Sequence, residues 1–420
     1  MTTIEREIQA MGDRARVAFD AVRTLGADTR TAALHAMATA LERNSEAILA
    51  ANAGDVDRAR RGGMAEAMID RLALNPERVA GMAAAVREIA RQPDPLGVED
   101  ERWTPPSGLD IARVRVPIGV LAVIYESRPN VTADAAALCV RSGNALILRS
   151  GSAALASAAA IHAAIVEGLA EAGLPGDLVQ LVDTPDRAAV GALLTGLNGA
   201  VDLIVPRGGR SLVERIQREA RAPVLGHLEG LCHTYLHAAA DPEKARRIVL
   251  NAKMRRVSVC GATETLLVDA SVAEGLLRRV ADDLLAAGCT LRGDARTCAI
   301  VPEATPAVEA DWTTEYLAPI LAVRVVDGLS EALAHIARHG SGHTDAIVTE
   351  DPVAAAEFLD RVDSAIVMHN ASTQFADGGQ FGFGGEIGIA TGRLHARGPV
   401  GAAQLTTYKY VVRSEGAVRP

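Results

Sequence analysis

Aromatic residues and cysteines are both scarce in this sequence. Phe, Trp and Tyr make up 3% of the 420 residues, whereas 49% are hydrophobic, and alanine is prominent among these. Small side chains let helices pack closely against a sheet, so the composition favours α/β layers over an all-β sandwich. The five cysteines are odd in number and irregularly spaced, which argues against a disulfide framework and predicts thiols.

The sequence also lacks a long basic run and a signal peptide. The formal net charge is −9, and without a basic run to follow a phosphate backbone we do not expect nucleic acid as a partner. The N-terminal segment places Ile4, Ile8 and Met11 at helical intervals among charged residues, without the basic start and apolar centre of a secretory signal. These features predict a cytoplasmic protein.

The length and the pattern of the chain predict two α/β domains behind a helical lead-in. At 420 residues the chain is too long for one ordinary hydrophobic core. Helical periodicity runs through residues 3–91. Short β-rich runs then alternate with helical ones over residues 109–220 and again over 264–367, which is typical of parallel sheets covered by helices.

Two further segments carry predictions of their own. The most apolar stretch, residues 153–172, is interrupted by His162 and two glutamates, so it predicts a packed helix and not a membrane span. The β-like run at residues 403–412 predicts a strand that pairs either with residues 109–116 or with another subunit.

A glycine turn follows the β-like run at residues 201–205. Arg207-Gly208-Gly209-Arg210 would let a phosphate approach backbone N–H groups at the start of a helix. An ordinary tight turn with solvated arginines explains the same residues equally well. No GxGxxG fingerprint follows a strand, so the usual nucleotide-binding Rossmann motif is not supported.

Cys260 is the cysteine with the most reactive surroundings. Several cations precede it and Gly261 follows it, which favours a lowered thiol pKa and an open approach for a substrate. The alternative is a buried structural thiol, which is the usual state of a single cysteine and the one we expect for Cys139, Cys289 and Cys298. Cys232 and the residue after it would face opposite sides of a strand, so we assign no metal site.

Five segments, in order and over nearly the whole chain, resemble the γ-glutamyl phosphate reductase family, a branch of the aldehyde dehydrogenase superfamily. They are VPIGV (116–120), YESRPNVT (125–132), PRGG (206–209), ETLLV (264–268) and LHARGP (394–399). The resemblance implies an aldehyde dehydrogenase-like α/β fold with a Rossmann-type cofactor domain. It also implies an α/β catalytic domain and a small β element for oligomerisation.

The resemblance also implies domain boundaries. The NADPH-binding domain would comprise residues 1–108 and 119–250, with parts of 378–396. The catalytic domain that carries Cys260 would span 251–377. The oligomerisation element would combine 109–118 and 397–420.

Carried over residue by residue, the family assigns roles to several side chains. Cys260 matches the nucleophile, and Asn130 matches the asparagine of the oxyanion hole. Arg149 falls where relatives have a cation beside the cofactor ribose, and Glu315 resembles the carboxylate that binds the nicotinamide ribose. By the same resemblance, the turn over the cofactor phosphates would be formed by Pro206, Arg207, Gly208 and Gly209.

Ser152 predicts which cofactor is used. Members of the superfamily often have an acidic residue three positions after the ribose cation, where it repels a 2′-phosphate. This chain has Ser152 there, which can donate to a phosphate oxygen, and so we expect NADPH. The alternative is that residues 149–152 merely form the turn into the following helix, with Ser152 as its N-cap, and both interpretations could hold together.

The implied reaction is NADPH-dependent reduction of glutamate 5-phosphate to glutamate 5-semialdehyde through a Cys260 thioester, the second step of proline biosynthesis. A homo-oligomer is expected, and an association with glutamate 5-kinase is left open. Two alternatives are a hydrolytic NAD-dependent aldehyde dehydrogenase, with Glu229 or His227 as base, and a catalytically silent scaffold. Some relatives have Asn where this chain has Gly261 and Arg where it has Gln374.

Overall fold

A computed structural model of the chain describes residues 2–226 and 228–419, without the side chain of residue 67. Contacts divide the chain into a first unit, Met1–Gly226 with Gly382–Gly388 and Val400–Pro420, and a second unit, His227–Phe381 with Ile389–Pro399. The main boundary follows residue 226 rather than residue 250, because strand Cys232–Leu236 pairs with strand Thr263–Asp269. Of the residues predicted as a separate β element, 109–118 and 397–420, those at 109–118 and 400–420 belong to the first unit and those at 397–399 to the second.

The first unit places a parallel sheet among helices. Its helices are α1 (Thr3–Val22), α2 (Ala27–Arg43), α3 (Ser45–Arg61), α4 (Glu66–Leu72), α5 (Pro76–Arg91), α6 (Asn130–Arg141), α7 (Leu155–Glu171), α8 (Arg187–Leu194) and α9 (Arg210–Glu219). The parallel strands are β3 (Val120–Tyr125), β4 (Ala145–Arg149), β5 (Val179–Leu181) and β6 (Leu203–Arg207), in the order β5-β4-β3-β6. Strands β3 and β4 are buried along their whole length, as expected for a sheet covered on both faces.

Helix α7 contains the most apolar stretch of the chain. Together with the 3₁₀ turn before it, it is long and apolar enough, by length and composition alone, to cross a membrane. Its contacts are those of a core helix. A Cβ at Gly168 would lie 2.5 Å from the Cα of Met37 in α2, and Ser157 donates two hydrogen bonds to Asp55 of α3. The prediction of a packed helix is confirmed.

A small antiparallel sheet also belongs to the first unit. It consists of β1 (Glu99–Trp103), β2 (Asp110–Pro117) and β16 (Thr406–Arg413), in the order β1-β2-β16. The pairing of β16 with β2 confirms the first of the two pairings predicted for this strand. Tyr408, Tyr410 and Val412 are about half exposed on β16.

The second unit is built on a seven-stranded parallel sheet. Its strands are β7 (Cys232–Leu236), β8 (Thr263–Asp269), β9 (Thr290–Gly293), β10 (Thr305–Pro306), β11 (Ile320–Val326), β12 (Thr344–Val348) and β13 (Ile366–His369), in the order β10-β9-β11-β8-β7-β12-β13. Its helices are α10 (Pro242–Met254), α11 (Ala270–Ala286), α12 (Ala295–Ile300), α13 (Leu329–His339) and α14 (Pro352–Arg361). A two-stranded ribbon, β14 (Ile389–Ala390) and β15 (Gly398–Pro399), completes the unit.

The predicted strands at residues 265–268, 320–326, 346–348 and 365–368 all form in this unit, within three residues of their predicted ends. Sequence analysis considered a strand at Cys232 but did not include β7, which lies inside the sheet, among the strands of this unit. Its five residues, CHTYL, are all buried. Polar His233 and Thr234 therefore occupy buried positions, and the run shows neither the alternation nor the unbroken hydrophobicity that identifies a strand.

Candidate active site

The turn that carries Cys260 lies between α10 and β8 in the second unit. Cys260 is half-buried, whereas Cys139, Cys232 and Cys289 are buried. Burial raises the pKa of each of these three thiols, that of Cys289 to about 11. A thiol with a raised pKa carries little thiolate at neutral pH and is a poor nucleophile. These three cysteines therefore have the structural character predicted for Cys139 and Cys289.

Gly230 fixes the peptide of Cys260. A Cβ at residue 230 would lie 2.1 Å from the carbonyl oxygen of Cys260 and 2.6 Å from its Cα, so only glycine fits. The Gly230 N–H donates to Glu315 Oε1 at 3.0 Å, and the Cys232 thiol donates to the Cys260 carbonyl at 3.1 Å. Two of the predicted site residues thus meet at one glycine, which sequence analysis did not single out.

Gln374 and Gly261, which differ from some relatives, support the same turn. The Gln374 amide donates to the carbonyl oxygens of Ala252 and Arg256, each at 3.1 Å. A Cβ at Gly261 would lie 3.1 Å from the carbonyl oxygen of Thr373, so a larger residue there would require a small backbone shift. In this chain both positions hold the turn in place.

Asn130 begins α6 in the first unit. Its Nδ2 donates to Asp134 Oδ2 at 2.8 Å, one helical turn along. Because a carboxylate only accepts, this bond fixes the amide nitrogen on the side of Asp134. The amide carries a second N–H, and the helix N-terminus favours negative charge nearby. The arrangement suits the predicted role of a donor to an oxyanion.

Asp134 is a site residue that sequence analysis missed. It is half-buried, and loss of hydration raises its pKa to about 6, although the bond from Asn130 and the charge of Arg207 oppose the shift. The available signal was the spacing of Asn130 and Asp134, since residues four apart face each other on a helix.

Arg149 is the last residue of β4 and is 9% exposed. One of its terminal nitrogens donates to the carbonyl oxygen of Pro185 at 3.1 Å. Its Nε is buried and makes no hydrogen bond with the part of the chain that the structure describes. Burial lowers the pKa of Arg149, the charges of Arg187 and Arg215 lower it further, and Glu126 opposes them. An unsatisfied guanidinium near other cations suits the binding of an anion.

Ser152 follows Arg149 by three residues. It is exposed and begins a 3₁₀ turn, Ser152–Ala154. The N-cap of α7 is Ala154. Ser152 therefore lies in the turn that leads into α7, as the alternative predicted, but the prediction that it is the N-cap of this helix is wrong.

Glu126 occupies the turn that was predicted to lie over the cofactor phosphates. Pro206 and Arg207 end β6, and Gly208 and Gly209 lead into α9. The Gly209 N–H donates to Glu126 Oε2 at 2.9 Å, and a Cβ at Gly208 would lie 2.8 Å from that carboxylate. The turn therefore binds an anionic group, as its chemistry predicts, and that group is a carboxylate of the same unit.

The remaining candidates have no assigned role. His227 lies outside the described residues, and Glu229 is half-buried. The Cys232 sulfur lies 3.5 Å from His343 Nδ1, whereas His233 is hydrogen-bonded to Asp345. These two neighbouring side chains therefore have different partners. Over residues 2–226 and 228–419, no three His, Cys, Asp or Glu side chains are arranged to hold a metal ion.

Known proteins resemble this chain over its full length. The pattern of the aldehyde dehydrogenase family matches residues 2–305 and 298–411. Gamma-glutamyl phosphate reductase of Caulobacter sp. strain K31 is 65% identical over 418 residues, covering 100% of each chain. The crystal structure of gamma-glutamyl phosphate reductase from Thermotoga maritima is 42% identical, covers 99% of this chain and 100% of that one, and superposes with a TM-score of 0.96.

A more distant structure shows the fold alone. An acetylating aldehyde dehydrogenase from Geobacillus thermoglucosidasius is 18% identical, covers 99% of this chain and 98% of its own, and has a TM-score of 0.69. The predicted fold class and the predicted resemblance are both confirmed. The chain belongs to the gamma-glutamyl phosphate reductase branch of the aldehyde dehydrogenase family.

Proposed function

We propose that this chain reduces γ-glutamyl phosphate to glutamate 5-semialdehyde and phosphate, the second step of proline biosynthesis, with NADPH as reductant and Cys260 as nucleophile. The observation that carries the proposal is the contact of Gly230 with both Cys260 and Glu315. The backbone at Gly230 thereby holds both the half-buried thiol of Cys260 and the carboxylate of Glu315, which is suited to bind a ribose. Such an arrangement suits a reaction that needs a nucleophile beside a nicotinamide.

The residues divide the reaction between them. Cys260 Sγ attacks the acyl carbon and phosphate leaves with the electron pair of the C–O bond, which gives a thioester. The Asn130 amide stabilises the negative oxygen formed during the attack. NADPH, when bound, supplies the hydride that reduces the thioester. The carbon–sulfur bond of the thiohemiacetal on Cys260 then breaks. Its electron pair returns to sulfur, and the aldehyde is released.

Membership of the aldehyde dehydrogenase family indicates a nicotinamide cofactor, and the first unit fits one. The buried Nε of Arg149 lacks a hydrogen-bond partner within the described residues, and the turn at Gly208 and Gly209 already receives a carboxylate. Arg149 and Ser152 would hold the 2′-phosphate of NADPH, and the glycine turn would hold its pyrophosphate once the Glu126 carboxylate has left the turn. Ser152 adds no negative charge there, which supports NADPH over NADH.

The reaction run in reverse tests this proposal. Purified enzyme is given glutamate semialdehyde with NADP or NAD, with and without inorganic phosphate, and formation of the reduced cofactor is followed by fluorescence. We expect turnover that requires phosphate and favours NADP. Turnover with NAD that needs no phosphate would instead identify a hydrolytic aldehyde dehydrogenase. Absence of turnover, together with no faster alkylation of Cys260 than of a model thiol, would identify a silent scaffold.

We also propose that the enzyme is a cytoplasmic homo-oligomer assembled through β16. This strand is at the edge of its sheet, and Tyr408, Tyr410 and Val412 expose apolar surface along it. Exposed edge strands are sites of pairing between chains. Replacing Tyr410 with Lys should lower the mass measured by light scattering, and an unchanged mass would place the interface elsewhere. The association with glutamate 5-kinase stays a prediction.

A further inference from the structure

A fully buried ion pair lies at the base of the turn that carries Cys260. Lys253 is in the last turn of α10 and Glu264 is the second residue of β8, so the pair brackets the turn in sequence. The two side chains are 0% and 1% exposed, and Lys253 Nζ lies 2.5 Å from Glu264 Oε2. The pair therefore closes the chain segment that carries Cys260.

The same pair reaches the segment that carries Glu315. The second oxygen of Glu264 accepts the Leu317 N–H at 3.3 Å, and the Lys253 ammonium lies 5.8 Å from the ring centroid of Tyr316. Leu317 has φ of +51°, a conformation that costs energy for a leucine. The hydrogen bond that Leu317 donates to Glu264 helps to hold this residue, and with it the backbone directly after Glu315.

Stability alone does not account for a pair of this kind. Removing two charges from water costs several kcal/mol each, and apolar residues of similar size often serve a core equally well or better. The charge of Glu315 also affects the pKa of Glu264. Burial raises the pKa of Glu264 to about 7, Lys253 opposes the shift, and the charge of Glu315 adds to it.

We propose that Lys253 and Glu264 are positioning residues that fix Glu315 relative to Cys260. The inference rests on the proposed function for the roles of those two residues. Glu315 is thus held from two sides, by the Gly230 N–H on its carboxylate and by Glu264 on the backbone two residues later. Loss of the pair should let the nicotinamide-binding segment shift while the thiol and the first unit remain.

The principal test replaces the pair with apolar residues, Lys253→Met together with Glu264→Leu, so that no unpaired charge stays buried. We expect kcat to fall by about 10- to 100-fold, because small displacements of reacting groups are costly. The dissociation constant of NADPH, measured by fluorescence titration, should change less than about twofold, because the phosphate turns lie in the first unit. The matched control is Arg246→Met with Asp283→Leu, which removes another α10 ion pair (2.7 Å) and should leave kcat within about twofold.

A double-mutant cycle with Glu315→Gln decides whether the pair acts through Glu315. In that background, removal of the pair should lower kcat by less than about threefold, because the group it positions is already changed. If the apolar double variant does not fold, as judged by circular dichroism, Glu264→Asp replaces it in both backgrounds. This variant keeps the charge but shortens the reach to Leu317.

Each outcome of the cycle supports or overturns the inference. Equal kcat losses with and without Glu315 would overturn it, as would a lower melting temperature with unchanged kcat. A parent enzyme that does not reduce γ-glutamyl phosphate would refute the proposed function instead. Turnover of the parent therefore separates the two failures.

Discussion

Asp134 in the first unit and Glu264 in the second are two carboxyl groups held in different ways. Each lies beside a proposed reacting or positioning group, and loss of hydration raises the pKa of each, to about 6 and about 7. Asp134 is half-buried and accepts a hydrogen bond from the neutral amide of Asn130. Glu264 is fully buried and forms an ion pair with the ammonium of Lys253. The difference indicates that the first unit needs only to orient one side chain. In the second unit, two chain segments must be held together.

We expect the largest effect on either unit from removal of the proposed nucleophile in the second unit. Cys260→Ala should lower turnover by roughly 10⁴ or more, because no covalent intermediate can form. Folding and NADPH binding should be nearly unchanged. Cys298→Ser, at another half-buried cysteine, is the matched control and should keep its activity. Steady-state assays that find Cys260→Ala within about tenfold of the parent, about 1.4 kcal/mol of barrier, would contradict covalent catalysis.

Asn130→Ala should have the next largest effect. Loss of one oxyanion donor is expected to lower kcat by roughly 10² to 10³, with little change in NADPH affinity. The measurement is kcat and KM for γ-glutamyl phosphate. A change in KM alone would mean that Asn130 only binds the substrate.

Asp134 should contribute less, because it acts through Asn130. Asp134→Ala should lower kcat by about tenfold and have almost no effect when Asn130 is already alanine. The carboxylate is present above its folded pKa of about 6, so kcat should decline as the pH falls through that value. The Asp134→Asn variant should lose this limb of the pH profile. A limb that stays in the variant would assign it to another group.

Ser152→Glu tests the cofactor site that we propose in the first unit. The new carboxylate should repel the 2′-phosphate and lower kcat/KM for NADPH by about tenfold relative to NADH, a difference of about 1.4 kcal/mol. Ser152→Ala should have a smaller effect, since only a hydrogen bond is lost. Equal losses for both cofactors would show that this turn does not contact the 2′-phosphate.

The smallest effect concerns stability in the second unit, where His335 is buried between His233 and His339. Burial, and then the charges of these two histidines and of Arg324, lower the pKa of His335 to about 2. The unfolded chain takes up this proton near pH 6.5. The contribution of neutral His335 to the free energy of unfolding is therefore complete above that pH. It is lost as the pH falls, by up to about 1.4 kcal/mol per pH unit.

His335→Phe should flatten this dependence in urea unfolding measured between pH 7.5 and 5.5. His35→Phe, at an exposed histidine of the first unit, is the control and should leave the slope unchanged. Glu264 acts with the opposite sign, because its pKa is raised: its contribution is present below about pH 4.5 and is lost as the pH rises through about 7. An unchanged slope in His335→Phe would show that His335 takes up its proton at the same pH in the folded and the unfolded chain.

Much of the fold was readable from the sequence because hydrophobic periodicity is a local signal. The strands before and after Asn130, the strand after Cys260 and the long helix α7 could all be located in this way. The inner strand β7 was not located in this way, because the burial of its polar His233 depends on a hydrogen bond to Asp345, 112 residues away. Such a partner leaves no mark on the local pattern.

The sequence by itself determined the family and the two parallel sheets, because these depend on local patterns and on motifs a few residues long. The roles proposed for Cys260, Asn130, Arg149 and Glu315 also come from such motifs. The tertiary structure decided which groups support them. Glu126 lies 83 residues from the glycine turn that it occupies, and Glu264 lies 53 residues from Leu317. Hydrogen bonds and ion pairs depend on distances in space, and only the folded chain brings these groups within reach of each other.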